Sequence, residues 1–147
     1  MKTFIFKVNL LRAKKIVREI EVLESINLYK LAEAIVMVFG FDFDHCFGFF
    51  SEITEDWRLN ESKKMYELFA DMKDQGIEPT GAESVEKTKI GEVWKNAGDK
   101  MMMLFDYGDD WRFVVELAGF GEKSAKTKYP RITKTIGKAP EQYPPCE

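Results

Sequence analysis

Apolar and polar positions alternate from Thr3 to Leu10, with Phe4, Phe6, Val8 and Leu10 on one side and Thr3, Lys7 and Asn9 on the other. A period of two is the signature of a half-buried strand. Lys15 to Val22 repeats it: Ile16, Ile20 and Val22 share a side with Arg18, and Val17, Glu19 and Glu21 oppose them. Leu11 to Lys14 would close the hairpin, although no Asn-Gly or Asp-Gly turn specifies it. The period then lengthens. Leu28, Leu31, Ile35 and Phe39 recur at helical spacing, between Asn27, a good cap for free backbone N–H groups, and Gly40, a good stop.

Cys46 to Glu52, with Phe47, Phe49 and Phe50, reads as a third strand, and Ile53 to Asn60 as irregular chain. Met65, Leu68, Phe69 and Met72 predict a second helix over Ser62–Gln75, capped by Ser62 and ended by Gly76. Ile77 to Glu86 carries Pro79 and Gly81 and reads as a loop, with Thr88 capping a short helix that ends near Lys95 and a turn over Asn96–Asp99. Met101–Phe105 and Trp111–Leu117 alternate around Asp106-Tyr107-Gly108-Asp109-Asp110, which predicts a hairpin. From Gly119 to Glu147 there are four prolines, three glycines and little periodicity, so an extended tail is expected, pinned by Tyr129-Pro130 and Tyr143-Pro144.

This order predicts an α+β roll: a mixed sheet with an N-terminal hairpin, a helix laid across it and a C-terminal hairpin, loosely β-grasp-like. With 147 residues, 45% of them hydrophobic and 14% aromatic, a single domain spanning 1–147 with its own core is the expectation. The formal charge, 22 basic against 25 acidic residues, argues against a general duplex-DNA binder while leaving room for a local basic patch. The cysteines, Cys46 and Cys146, are far apart, which removes a sulfur-rich zinc site and makes a disulfide framework improbable. No secretory signal or membrane-length apolar run is visible, so a cytoplasmic protein without membrane association is expected.

Ile16-Val17-Arg18-Glu19-Ile20-Glu21-Val22, Gly40-Phe41-Asp42-Phe43-Asp44-His45 and Phe105-Asp106-Tyr107-Gly108-Asp109-Asp110-Trp111 together carry a resemblance. The chain resembles the plasmid pRiA4b ORF-three-like family, found on plasmids, in transposon passenger genes and in bacterial and archaeal chromosomes. The resemblance runs from about Phe4 to Tyr143, and Asp-Tyr-Gly-Asp-Asp-Trp is its most specific part. It implies a fold and a family, not a reaction. Where many relatives carry histidines this chain has Ala32 and Phe113; where they often carry an acidic residue it has Gly48; where some carry cysteines it has Ile132 and Ala139. Most ligands of any polar or metal site in those relatives are therefore absent.

The remaining candidates are few. His45, the one histidine, with Asp106, Asp109 and Asp110 would form an acid–base or hard-cation site if the four converge, since Mg²⁺ and Ca²⁺ take oxygen ligands. The same aspartates serve equally as turn residues, and the same histidine as a hydrogen-bonded corner of the fold. Trp111 and Tyr107, together with Lys126, Lys128 and Arg131 of the basic run Lys123–Lys138, are the candidate binding residues, for a protein or nucleic-acid partner or simply as core rings and a solvated tail. The met-rich stretch Met101–Met103 fits core filling. No phosphate-cradling, dinucleotide or nucleophile-elbow motif occurs, and no cofactor is expected. The sequence thus favours a non-enzymatic binding or interaction module, with a metal-assisted enzyme or nucleic-acid-processing accessory as the alternative.

Overall fold

The computed structural model describes residues 1–72 and 81–145. The two alternating segments form β1 (Lys2–Leu10) and β2 (Ala13–Leu23), paired antiparallel through the tight turn at Leu11 and Arg12. The register sets Phe4 opposite Val22 and Phe6 opposite Ile20, so one row of apolar side chains faces one way. Helix α1 (Leu28–Val38) follows. The Asn27 side chain accepts from the Lys30 N–H at 2.8 Å, and Gly40 at φ 77° ends the element. All four residues of the expected stripe, Leu28, Leu31, Ile35 and Phe39, are buried in one core with Phe6, Val8, Ile20, Phe49, Met103 and Phe113. Burial of each such side chain contributes roughly 1.5–3 kcal/mol.

The other elements are β3 (Phe47–Phe50), β4 (Met65–Glu67), β5 (Glu83–Ser84), α2 (Ile90–Val93), β6 (Lys100–Phe105), β7 (Trp111–Glu122) and β8 (Arg131–Ile136). They make one eight-stranded sheet in the order β5-β4-β3-β6-β7-β1-β2-β8. Only β4–β5 is parallel among the described pairs, so the sheet is mixed and the class is α+β. A smaller apolar cluster, Phe50, Leu59, Met102 and Leu104, lies apart from the main core and includes a residue of the 3-10 turn Trp57–Glu61. Met101, Met102 and Met103 are all buried, as strand alternation between two apolar clusters requires.

Several expectations are corrected. The helix over Ser62–Gln75 is absent from its described part: Met65–Glu67 is a strand, followed by a 3-10 turn at Leu68–Asp71. Cross-strand pairing decides this. Tyr66 lies opposite Phe49 and Glu67 opposite Gly48, and these two are buried in place of the apolar stripe. Ser62 caps no helix; its hydroxyl accepts from the Glu52 N–H. Gln75, Gly76, Ile77 and Pro79 lie outside the described residues, as does Cys146. The remainder of the expected loop contains β5. Thr88 does not cap α2, because its hydroxyl is spent on the Ser84 carbonyl at 2.6 Å, and Glu92 accepts from the Lys89 N–H instead.

The tail is also more ordered than expected. β7 continues to Glu122 beside β1, and β8 adds an edge strand to β2. Gly121 is not a loop signal. A Cβ there would come within 2.7 Å of the Thr3 hydroxyl and 2.8 Å of the Glu21 carboxylate. Those two hydrogen-bond each other in the interior, and Arg131 of β8 pairs with Glu21 at 2.7 Å. Arg18 is buried, with no carboxylate within ion-pair distance among the described residues. Its guanidinium donates to the carbonyls of Val17, Val38, Ile136 and Gly137, which fastens the last turn of α1 to the end of β8.

Candidate functional site

Strand register builds the site. Phe47 at the start of β3 lies opposite Phe105 at the end of β6, and the Asp106 N–H donates to the Cys46 carbonyl at 2.9 Å. His45, one residue before Cys46, is thereby set beside Asp106, one residue after β6. Its Nδ1 lies 3.5 Å from Asp106 Oδ2 and 2.8 Å from Asp44 Oδ1. A third segment closes the corner. Gln142, which is buried, accepts from the Asp42 N–H at 2.7 Å and donates to the Asp42 carbonyl at 3.1 Å and to Asp44 Oδ1 at 3.2 Å. That clamp holds Tyr143, whose hydroxyl donates to Asp44 Oδ2 at 2.8 Å and lies 3.2 Å from His45 Nδ1.

The turn at 106–110 has its own logic. Asp106 (φ 64°) and Asp110 (φ 59°) both occupy the left-handed region, which aspartate tolerates better than most residues. Gly108 does not supply the positive φ that its sequence position invites. It donates its N–H to Asp106 Oδ1 at 3.1 Å, as Asp109 does at 3.2 Å. Asp106 thus plays both parts at once: turn residue through one oxygen, histidine partner through the other.

Electrostatics follow from this geometry. The hydrogen bond that the His45 ring donates to the Asp44 carboxylate, aided by the charges of Asp106 and Asp109, raises the titration of His45 above its ordinary value. His45 and Tyr143 in turn hold Asp44 below the usual carboxylate range. Burial, then the Asp44 bond, pushes the Tyr143 hydroxyl up to about 12. His45 Nε2 makes no hydrogen bond among the described residues, and the ring is partly open to solvent.

Not every candidate joins this corner. Asp110 turns away, bound to Arg12 at 2.7 Å and to Arg112 Nε at 2.8 Å; burial opposes ionisation there, but the two arginines carry its titration down. Tyr107 points toward β4, where its hydroxyl donates to Glu67 and its ring lies 5.0 Å from Phe69; burial and that carboxylate push its titration far up. Gly48 makes room for this pair, since a Cβ there would meet Glu67 at 2.9 Å and the Tyr107 hydroxyl at 3.0 Å. Trp111 is half-buried against Phe41, with ring centroids 4.8 Å apart, and its Nε1–H is buried with no acceptor among the described residues. Concavities of about 370 Å³ flank it. One is lined by Arg12, Asp109, Asp110 and Pro140 among others, the second by Asp109, Gln142, Tyr143 and Pro144.

Lys126 and Lys128 are exposed on the β7–β8 connection, apart from this corner, and Arg131 is engaged by Glu21. Cys46 is half-buried beside Met72, and burial raises its thiol. Among the described residues, no three His, Cys, Asp or Glu side chains are arranged to hold a metal ion, and no helix is long and apolar enough to cross a membrane. Sequence reasoning missed Gln142 and Glu67 altogether. Asp44 and Tyr143 carried a signal, as the neighbour of the one histidine and the aromatic residue of a pinned tail.

The family model described as plasmid pRiA4b ORF-3-like protein matches residues 2–143. The chain belongs to that family. The corner residues from Asp42 to Tyr143 fall inside the matched span. No curated protein matches the chain. Among solved structures, the pRiA4b ORF-3-like fold seen here is similar to the crystal structure of the protein of unknown function MM3350 from Methanosarcina mazei Go1. The two share 20% identity with a TM-score of 0.69, over 91% of this chain and 68% of that one. At that identity the likeness is one of fold.

Proposed function

We propose that this pRiA4b ORF-3-like chain is a binding module, built as an α+β roll, whose recognition site is the corner formed by Asp44, His45, Asp106, Asp109, Trp111 and Tyr143. One observation carries the reading. Segments 42–46, 105–111 and 140–144 converge on a partly open histidine, and beside them, between two concavities, the Trp111 N–H has no acceptor among the described residues. A buried donor without a partner is costly, and a ligand that supplies an acceptor recovers that loss. Three carboxylates against one imidazole favour a small polar ligand, or a partner side chain, that also carries a cationic group. Free arginine has both, and is the probe for the test. Titrating it should shift the Trp111 indole and His45 ring resonances together, and Trp111→Phe with His45→Ala should abolish both the shift and the binding. Arginine that moves neither resonance, or binding that survives both substitutions, sinks the proposal.

A second reading, an enzyme or nucleic-acid-processing accessory using His45 as general base, is favoured by a specific feature. Nδ1 is anchored by carboxylates while Nε2 has no partner among the described residues, the orientation a general base needs. This version draws on Asp44 and Asp106 and leaves Asp110 to its arginines. It requires a turnover that rises as His45 loses its proton and that disappears in His45→Gln.

A further inference from the structure

We infer that the free edge of β8 is a docking site for an extended acidic segment of a partner protein, which would add a strand to the sheet. β8 ends the strand order, and its outer edge has no backbone partner among the described residues. All six of its residues are exposed. The opposite end of the sheet is closed differently, by the two-residue β5. Arg131-Ile132-Thr133-Lys134-Thr135-Ile136 contains four β-branched residues and neither proline nor glycine, so it is well suited to accept a further strand. Ile132 and Ile136 are 50% and 45% exposed. Just before β8 lies a mostly apolar groove of about 450 Å³ between the Tyr129-Pro130 segment, β2 and α1, lined by Val22, Ile26, Ala34 and Met37 and by the Lys30–Glu33 ion pair. Strand addition of this kind takes its affinity from main-chain hydrogen bonds and its specificity from pockets for alternate side chains.

Charge selects the occupant. Lys123, Lys126, Lys128, Arg131, Lys134 and Lys138 fall within sixteen residues, and no acidic residue occurs from 123 to 140. Of these six, only Arg131 is in an ion pair among the described residues. Two copies of this edge repel each other, which is how lysine-bearing edge strands resist self-pairing. An acidic strand meets the opposite field. A nucleic acid would answer the charge but would leave the main-chain edge and the apolar groove unused.

The test uses the intact chain and a labelled octapeptide of alternating Glu and Val, read by fluorescence anisotropy. Its comparators are the same peptide N-methylated on alternate amides, an alternating Lys and Val peptide, and single-stranded oligothymidine. The acidic peptide should bind, with affinity falling roughly tenfold or more on N-methylation, as expected when edge hydrogen bonds are lost. Lys134→Glu with Lys138→Glu should weaken it comparably, and bound peptide should protect the amides of 131–136 from hydrogen exchange. No binding by the acidic peptide overturns the inference. So does equal binding of the N-methylated or the lysine peptide, or tighter binding of oligothymidine than of the acidic peptide. The N-methylation arm needs no altered protein, so a misfolded variant cannot decide the result.

Discussion

Gln142→Ala should release the C-terminal segment from the histidine corner while leaving the sheet intact. The amide is buried and satisfies both backbone groups of Asp42, at 2.7 and 3.1 Å. A typical intramolecular hydrogen bond contributes a net ~0.5–1.5 kcal/mol, so the two Asp42 bonds together amount to about 1–3 kcal/mol. With a urea slope of roughly 1–3 kcal/mol/M, the unfolding midpoint should fall by about 1 M. A second readout is local. Asp44 is held low by its bonds to His45 and to Tyr143. Freeing the tail removes the Tyr143 donor, so the Asp44 carboxyl should titrate closer to its ordinary value of 3.8 when followed by NMR. Gln142→Glu separates the contributions, because it keeps an acceptor for the Asp42 N–H but loses the donor to the Asp42 carbonyl. An unchanged midpoint together with an unchanged Asp44 titration in Gln142→Ala would refute the claim that this amide assembles the corner.

Two further outcomes follow from the same geometry. His45 titrates above its ordinary 6.5 in the folded chain, so its contribution to stability is fully present below 6.5 and is lost as pH rises through the folded midpoint. NMR titration should place that midpoint above 6.5 and show it falling in Asp106→Asn; a midpoint at or below 6.5 contradicts the assigned contacts. Arg18→Met keeps the apolar stem but leaves the carbonyls of Val17, Val38, Ile136 and Gly137 without their charged donor. We expect a loss of about 3 kcal/mol, read as a fall of roughly 10 °C in Tm, and an effect under about 1 kcal/mol would mean that water replaces the guanidinium readily.

The elements legible in the sequence are those whose burial follows their own period. β1, β2, α1 and the β6–β7 hairpin each present a repeating apolar face, and each buries that face. Where the outcome depended on a distant partner, the local pattern misled. Met65, Leu68, Phe69 and Met72 have helical spacing, yet pairing with β3 draws Tyr66 and Glu67 inward. Gly119 and Gly121 resemble chain breakers, yet Gly121 is the clearance that lets Thr3 and Glu21 meet under β7. In both places tertiary contacts outweigh propensities of less than ~1 kcal/mol per residue.

The site divides along the same line. His45 and Asp106 come together because they flank paired ends of β3 and β6, so their contact follows from the hairpin register and from the chemistry of the only histidine. Gln142 stands about a hundred residues from its partner Asp42, and nothing in its local sequence marks it as the clamp. Asp110 shows the converse. Its position in the turn pointed to His45, but a left-handed backbone at that residue, together with Arg12 from the β1–β2 turn and Arg112 from β7, leads its carboxylate to the opposite side. A turn of five residues therefore serves two faces. Asp106 addresses the histidine and Asp110 locks the turn onto the sheet, so weakening the Asp110 pairs should loosen the His45 corner without touching any group in it.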